Sequence, residues 1–172
     1  NGNLMVHRVK RYFLEIRDFS NPIDLNLPEK YKIILHDKKE FQLNKFFYKQ
    51  IGKNHRWIDR LNWTDKQWIN YLNNPNVKTY IMKEQQNLVG YFEQIIDNFK
   101  KETEIAYFGI LEGYFGKGYG GYLLSEAIRN SFLNGGDRVW VHTCSLDHKN
   151  ALNNYLSRGM NIFHSEVVKV KN

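Results

Sequence analysis

The residues best suited to chemistry in this 172-residue chain form one run, Phe115-Gly116-Lys117-Gly118-Tyr119-Gly120-Gly121. Glycines this close together let a backbone approach an anion with no Cβ in the way, and Lys117 adds a positive charge. Before the run stands Ile105 to Leu111, apolar and aromatic, which reads as a buried strand that stops at the turn Glu112-Gly113. After it, Leu123, Leu124, Ala127, Ile128 and Ser131 recur at the three-and-four spacing of an amphipathic helix. The first turn of a helix carries unpaired N–H groups and the positive end of the dipole. Strand, glycine loop and helix in that order therefore predict a pyrophosphate-binding helix N-terminus.

Gly116-x-Gly118-x-x-Gly121 matches the dinucleotide fingerprint literally, but its place in the chain argues against that fold. A dinucleotide domain needs several further strand-helix units and an acidic residue about twenty positions on. Here the next strand-like run, Arg138 to Cys144, continues into Ser145 with no carboxylate at its end. A phosphate loop of the Gly-Lys-Ser/Thr kind is excluded because Lys117 is followed by Gly118.

With both glycines placed, Phe115-Gly116-Lys117-Gly118-Tyr119-Gly120 resembles the loop of the GNAT superfamily of acyl-CoA-dependent N-acyltransferases. The family pattern there is Gln/Arg-x-x-Gly-x-Gly/Ala, and Phe115 stands in place of Gln or Arg. Downstream, the run from Ala151 through Tyr155 to Gly159-Met160 is similar to the family's Ala-x-x-x-Tyr-x-x-x-Gly-Phe. His148 occupies the position where the family often has Asn, and Met160 replaces the closing Phe. The likeness runs from about Val89 to the C-terminus.

The resemblance implies an α/β (α+β) fold. Its central sheet is mixed and mostly antiparallel, has about six to seven strands splayed between the fourth and fifth, and is flanked by about four helices. It implies acetyl-CoA as co-substrate, held by backbone N–H groups from Phe115 through Gly121 with His148 nearby. It also implies a carbonyl oxygen held by backbone N–H near Ile110, and Tyr155 as the group that protonates the departing CoA thiolate.

Acylating an amine from a thioester requires a neutral nitrogen, and an alkyl ammonium has a pKa of about 10.4, so a carboxylate or imidazole must take a proton. Glu104, Glu93 and His142 are candidates. Glu104 leads because the histone-acetyltransferase branch of the family carries its catalytic Glu fourteen residues before the first motif glycine, the interval from Glu104 to Gly118. Two classes remain open: an N-acetyltransferase, and a module of the same fold that binds acyl-CoA or a partner without turnover.

The surrounding elements read as follows. Val6 to Ile16 is a strand, Asn21 to Pro28 a loop and Tyr31 to Leu35 a short strand. Phe41 to Ile51 is a helix closed by Gly52, and Thr64 caps a second helix that ends before Pro75. Val77 to Lys83 and Leu88 to Ile96 are strands joined by a polar turn. Arg138 to Cys144 is another strand, Asn150 to Arg158 a helix with Asn150 as plain N-cap, and Ile162 to Val170 a last strand. Asn1 to Asn3 reads as a frayed start. Most aromatics near the early helices (Phe47, Tyr48, Trp57, Trp63, Trp68, Tyr71) read as core, with one or two lining a substrate pocket.

One domain spanning 1–172 is expected at this length. Apolar runs are too short to cross a bilayer and no signal peptide is visible, so a cytoplasmic protein is expected, with no membrane partner. Cys144, the single cysteine, excludes an internal disulfide and a cysteine-rich metal site, and reads as inert packing. The formal charge of +7 is concentrated early: residues 1–60 carry +6 and residues 61–172 carry +1. No nucleic-acid motif accompanies it, so none is expected as partner. A homodimer is compatible with the sequence. The early charge points to a small-molecule or peptide amine that is neutral or acid-bearing, held by an Arg beside Trp57 and Trp63, with Arg56, Arg60 and Lys53 in that region.

Overall fold

A computed structural model describes residues 6–19, 28–148 and 150–171. The expected frayed start at Asn1 to Asn3 and the loop from Asn21 onward, up to residue 27, lie outside them. Among the described residues, seven strands form one sheet: β1 (Val6–Ile16), β2 (Tyr31–Leu35), β3 (Val77–Glu84), β4 (Asn87–Asp97), β5 (Glu102–Ile110), β6 (Arg138–Cys144) and β7 (Asn161–Lys171). Four α-helices among the described residues flank it: α1 (Phe41–Gly52), α2 (Asp65–Asn73), α3 (Tyr119–Leu133) and α4 (Ala151–Ser157).

The sheet order is β2-β3-β4-β5-β6-β1-β7. Every neighbouring pair is antiparallel except β5 with β6, which run parallel and pair only from Glu102 to Glu104 against Arg138 to Trp140. Beyond Glu104 the two strands part. The first strand in sequence does not start the sheet. It inserts between β6 and β7, with Tyr12 opposite Thr143 on one side and Ser165 on the other.

Each face carries its own core. Under α3 and α4, Leu123, Leu124, Ala127 and Ile128 pack on Phe92, Ile105, Phe108, Ile110, Val139 and Val141. Fully burying each of the Leu, Ile, Val and Phe side chains among them stabilises by roughly 1.5–3 kcal/mol. Gln94 fastens α3 to β4 inside this layer, donating to Ser131 Oγ at 2.9 Å and to Asn130 Oδ1 at 3.0 Å. Under α1 and α2 lie Phe47, Tyr48, Ile51, Trp68 and Leu72, all buried. The early aromatics are thus largely core, as their helical spacing predicts.

Local signals set the helix ends. Thr64 Oγ1 accepts from Gln67 N–H while Gln67 Oε1 accepts from Thr64 N–H, a complete capping box at the start of α2. Asn150 behaves otherwise. It precedes α4, but its side chain makes no capping bond, because its backbone (φ −92°, ψ −4°) is already helical rather than extended. Its N–H instead donates to His148 Nδ1 at 3.2 Å. Cys144 ends β6 half-buried.

Candidate active site

The parting of β5 from β6 exposes backbone. Leu111 N–H donates to Val89 O at 2.8 Å, and Ile110 and Phe108 stand opposite Gly90 and Phe92. Strand N–H groups alternate in direction, so those of Ile110 and Phe108 point away from β4 into the opening. A bulge increases the twist just before them: Glu93 pairs with Tyr107 and Gln94 with Ile105, leaving Ala106 as the extra residue.

β5 runs through a 3-10 turn (Glu112–Tyr114) into the glycine loop and then α3. Gly116 (φ 78°) and Gly118 (φ 81°) both take left-handed backbone, which glycine adopts without strain. Among the described residues, a Cβ at either position would meet nothing within 4 Å, so each glycine faces open space in that direction. Gly118 precedes the first residue of α3, and no side chain among the described residues caps the helix; Tyr122 N–H is the first to close a turn, onto Gly118 O at 3.5 Å. The N–H groups of Tyr119, Gly120 and Gly121 therefore belong to a first turn without intrahelical partners. Lys117 Nζ lies 5.7 Å from the Tyr114 ring, beside the loop. Tyr119 is pinned by a hydrogen bond to the Tyr31 hydroxyl, which itself donates to Glu84 at 2.9 Å. Asn154 Nδ2 on α4 donates to Gly120 O at 3.2 Å, tying α4 to the same turn. This open, donor-rich cradle fits a pyrophosphate and hence a CoA-type ligand.

Tyr155 sits on α4 facing the α3 layer, buried, its ring 6.3 Å from Phe108. Burial, reinforced by the Asp147 carboxylate, pushes its phenol well above the ordinary value, so it stays protonated at neutral pH. Its hydroxyl makes no hydrogen bond among the described residues. Glu104 is the last residue of β5 paired with β6 and lies at the apex of the opening. Burial raises its carboxyl, and Arg60 partly offsets that. His148 follows Asp147 in the turn after β6, and its ring lies 5.2 Å from that of Phe115.

The other proton-acceptor candidates are placed less favourably. Glu93 is fully buried and bonded to Arg60, with Nη1 at 3.0 and 3.3 Å from its two oxygens. His142 is exposed and packs against Phe13 at a ring distance of 5.8 Å.

Arg60 corrects an expectation. It was a candidate to hold an acidic acceptor, but it is 6% exposed and enclosed by the rings of Trp63, Tyr71, Trp68 and Tyr107 at 4.1 to 5.3 Å. Burial works against its charge, but the Glu93 carboxylate more than offsets that, and the guanidinium stays charged. Its charge is spent inside the fold, while Lys53 and Arg56 stay exposed.

Sequence reasoning missed His55 and Asp147. α1 ends at Gly52, and Asn54, His55 and Trp57 N–H groups fold back onto Ile51 and Gly52 carbonyls, with Arg56 at φ 58° completing the turn. A Cβ on Gly109 would collide with Ile51 and stand 3.6 Å from His55 Nε2. The bare glycine lets this turn lie close against β5 at Gly109. His55 Nδ1 hydrogen-bonds the carboxylate of Asp147, 92 residues away. No spacing rule links the two.

A mixed sheet opened between two parallel strands, with a glycine-started helix beside the opening, is the architecture that the resemblance in the sequence implies. The Acetyltransferase (GNAT) family model matches residues 39–160, and the chain belongs to that family. A search of curated proteins finds no match. Among solved structures, a GCN5-related N-acetyltransferase from Sphaerobacter thermophilus aligns at TM-score 0.72 and 15% identity, over 95% of this chain and 51% of its own. An aminoglycoside acetyltransferase from an uncultured soil metagenomic sample, in complex with sisomicin, aligns at 0.65 and 13%, over 78% and 90%. A GCN5-related N-acetyltransferase from Kribbella flavida aligns at 0.63 and 16%, over 97% and 60%. The chain thus spans about half the first of these and three-fifths of the last. At such identities the likeness establishes the fold. No described helix is long and apolar enough to cross a membrane.

Proposed function

We propose that this chain is an N-acetyltransferase that moves an acetyl group from acetyl-CoA to a primary amine by direct attack within a ternary complex. The observation that carries this reading is the meeting, at one opening in the sheet, of outward N–H groups on Ile110 and Phe108 with the uncapped glycine start of α3.

The N–H groups from Gly116 to Gly121, with Lys117, hold the pyrophosphate. Ile110 and Phe108 N–H polarise the thioester carbonyl, a fixed donor set that needs no reorganisation during reaction. Tyr155 gives its proton to the departing thiolate, whose own pKa lies near 8.5 by analogy with cysteine. The amine is a small molecule or a peptide end entering on the α1 and α2 side, where Glu104 and His55 stand. The aminoglycoside acetyltransferase among the structural neighbours supports a small-molecule amine, and burial of Arg60 removes the strongest ground for preferring an acidic one.

Titration calorimetry tests the cradle. One acetyl-CoA per chain is expected, with no heat from NADH or ATP. Gly118→Asp should abolish binding, because a carboxylate would stand where a phosphate is held. Retained affinity in that variant would remove the loop from the site.

Binding without turnover is the competing reading. Phe115 favours it, since the polar side chain the family offers the cofactor is replaced by a ring that packs on His148.

A further inference from the structure

Within the acetyltransferase reading above, the geometry points to His55, oriented by Asp147, as the base that deprotonates the acceptor amine. We infer this from where the imidazole lies and from what its other nitrogen touches.

Asp147 spans the opening. It follows β6 in a turn fastened by Ser145 N–H to Lys10 O at 2.8 Å and by Asp147 N–H to Cys144 O at 3.0 Å. Its Oδ2 accepts from Thr143 Oγ1 at 2.7 Å, and its Oδ1 accepts from His148 N–H at 3.0 Å and bonds His55 Nδ1. A carboxylate only accepts, so the proton on this imidazole belongs on Nδ1 and the lone pair on Nε2. Rings of Trp57 at 5.2 Å and His148 at 5.7 Å hold the imidazole from the sides.

Nε2, the atom that carries this lone pair, stands 3.6 Å from where a Cβ on Gly109 would be, and Gly109 is the residue between Phe108 and Ile110, whose N–H groups face the opening. Glu104 is four residues before the nearer of them, about 13 Å along a strand, which would require a chain of waters. The His55 and Asp147 side chains are 11% and 13% exposed, so both are largely shielded from bulk solvent.

The proton balance closes. An incoming ammonium gives one proton to His55 Nε2, which releases it to solvent. The neutral nitrogen then bonds the acetyl carbon as the carbon–sulfur bond breaks. Tyr155 protonates the thiolate, and the nitrogen's second proton leaves through His55 and solvent to restore the phenol. Amide, free CoA and one released proton are the products.

Two measurements on the full chain test the assignment. Nitrogen NMR of His55 at pH 8 should find Nδ1 protonated and Nε2 bare without any ligand, and Asp147→Ala should shift the proton toward Nε2. A wild-type imidazole protonated on Nε2 overturns the proposal. In steady-state assays of thiol release, His55→Ala should lower kcat by about a hundredfold or more, leave acetyl-CoA affinity by calorimetry unchanged, and recover partly with added imidazole. A His55→Ala enzyme with wild-type kcat overturns the base while leaving the acetyltransferase standing. A wild type silent toward every amine overturns both.

Discussion

The Phe115 and His148 rings meet at 5.2 Å, 66° apart, and these are two of the positions where the chain departs from its family's pattern. The family offers a polar side chain at each. Here an edge-on aromatic contact joins the glycine loop to the turn after β6. Aromatic pairs of this geometry contribute about 0.5–1.5 kcal/mol beyond burial. A double-mutant cycle of Phe115→Ala and His148→Ala, read as acetyl-CoA affinity, should show coupling of that size. Additive effects would mean that the rings do not support each other.

Arg60 and Glu93 form a buried pair, and breaking one side leaves an uncompensated charge. Arg60→Ala should lower unfolding free energy by about 3–5 kcal/mol in urea titrations. Arg60→Met with Glu93→Leu should recover most of the loss. A near-neutral Arg60→Ala would show that solvent reaches Glu93.

Tyr155→Phe removes only a hydroxyl without hydrogen bonds to the described residues, so folding and acetyl-CoA affinity should be nearly unchanged. Loss of the proton donor should lower kcat by about a hundredfold. An unaltered kcat in a well-folded variant would reduce Tyr155 to packing.

Glu104 carries a pH signature. Burial, with Arg60 offsetting part of it, raises its carboxyl in the folded state. Between the ordinary carboxylate pKa, about 4.3, and the raised value, the folded chain holds a proton that the unfolded chain has lost. Stability therefore falls as pH rises through that window. Glu104→Gln removes the fall, so the variant's Tm advantage should grow from about pH 4 upward and then level off. A pH-independent difference would indicate a solvated carboxyl.

The sequence makes the strand, loop and helix around Gly118 legible because each is a local pattern: apolar run, glycine cluster, three-and-four spacing. The capping box at Thr64 is legible for the same reason. Pairings between distant segments are not. β1 reads as a strand, but its place between β6 and β7 depends on contacts more than a hundred residues apart. Arg60 in isolation reads as a surface cation, and only the folded chain brings Glu93 and a ring of aromatics around it. His55 and Asp147 lie in turns with no periodicity, so nothing local marks either one. Asn150 has the residue type of a cap, but the turn that starts at His148 brings it in already helical.

Release of free thiol from acetyl-CoA, followed with and without a panel of primary amines, bears most directly on the function proposed for this fold. The panel should include sisomicin-type aminoglycosides, spermine, free amino acids and short peptides. Thiol should appear only when an accepted amine is present, one equivalent for each acetylated amine. Tight acetyl-CoA binding with no thiol release above background for any amine would contradict turnover and leave a binding module.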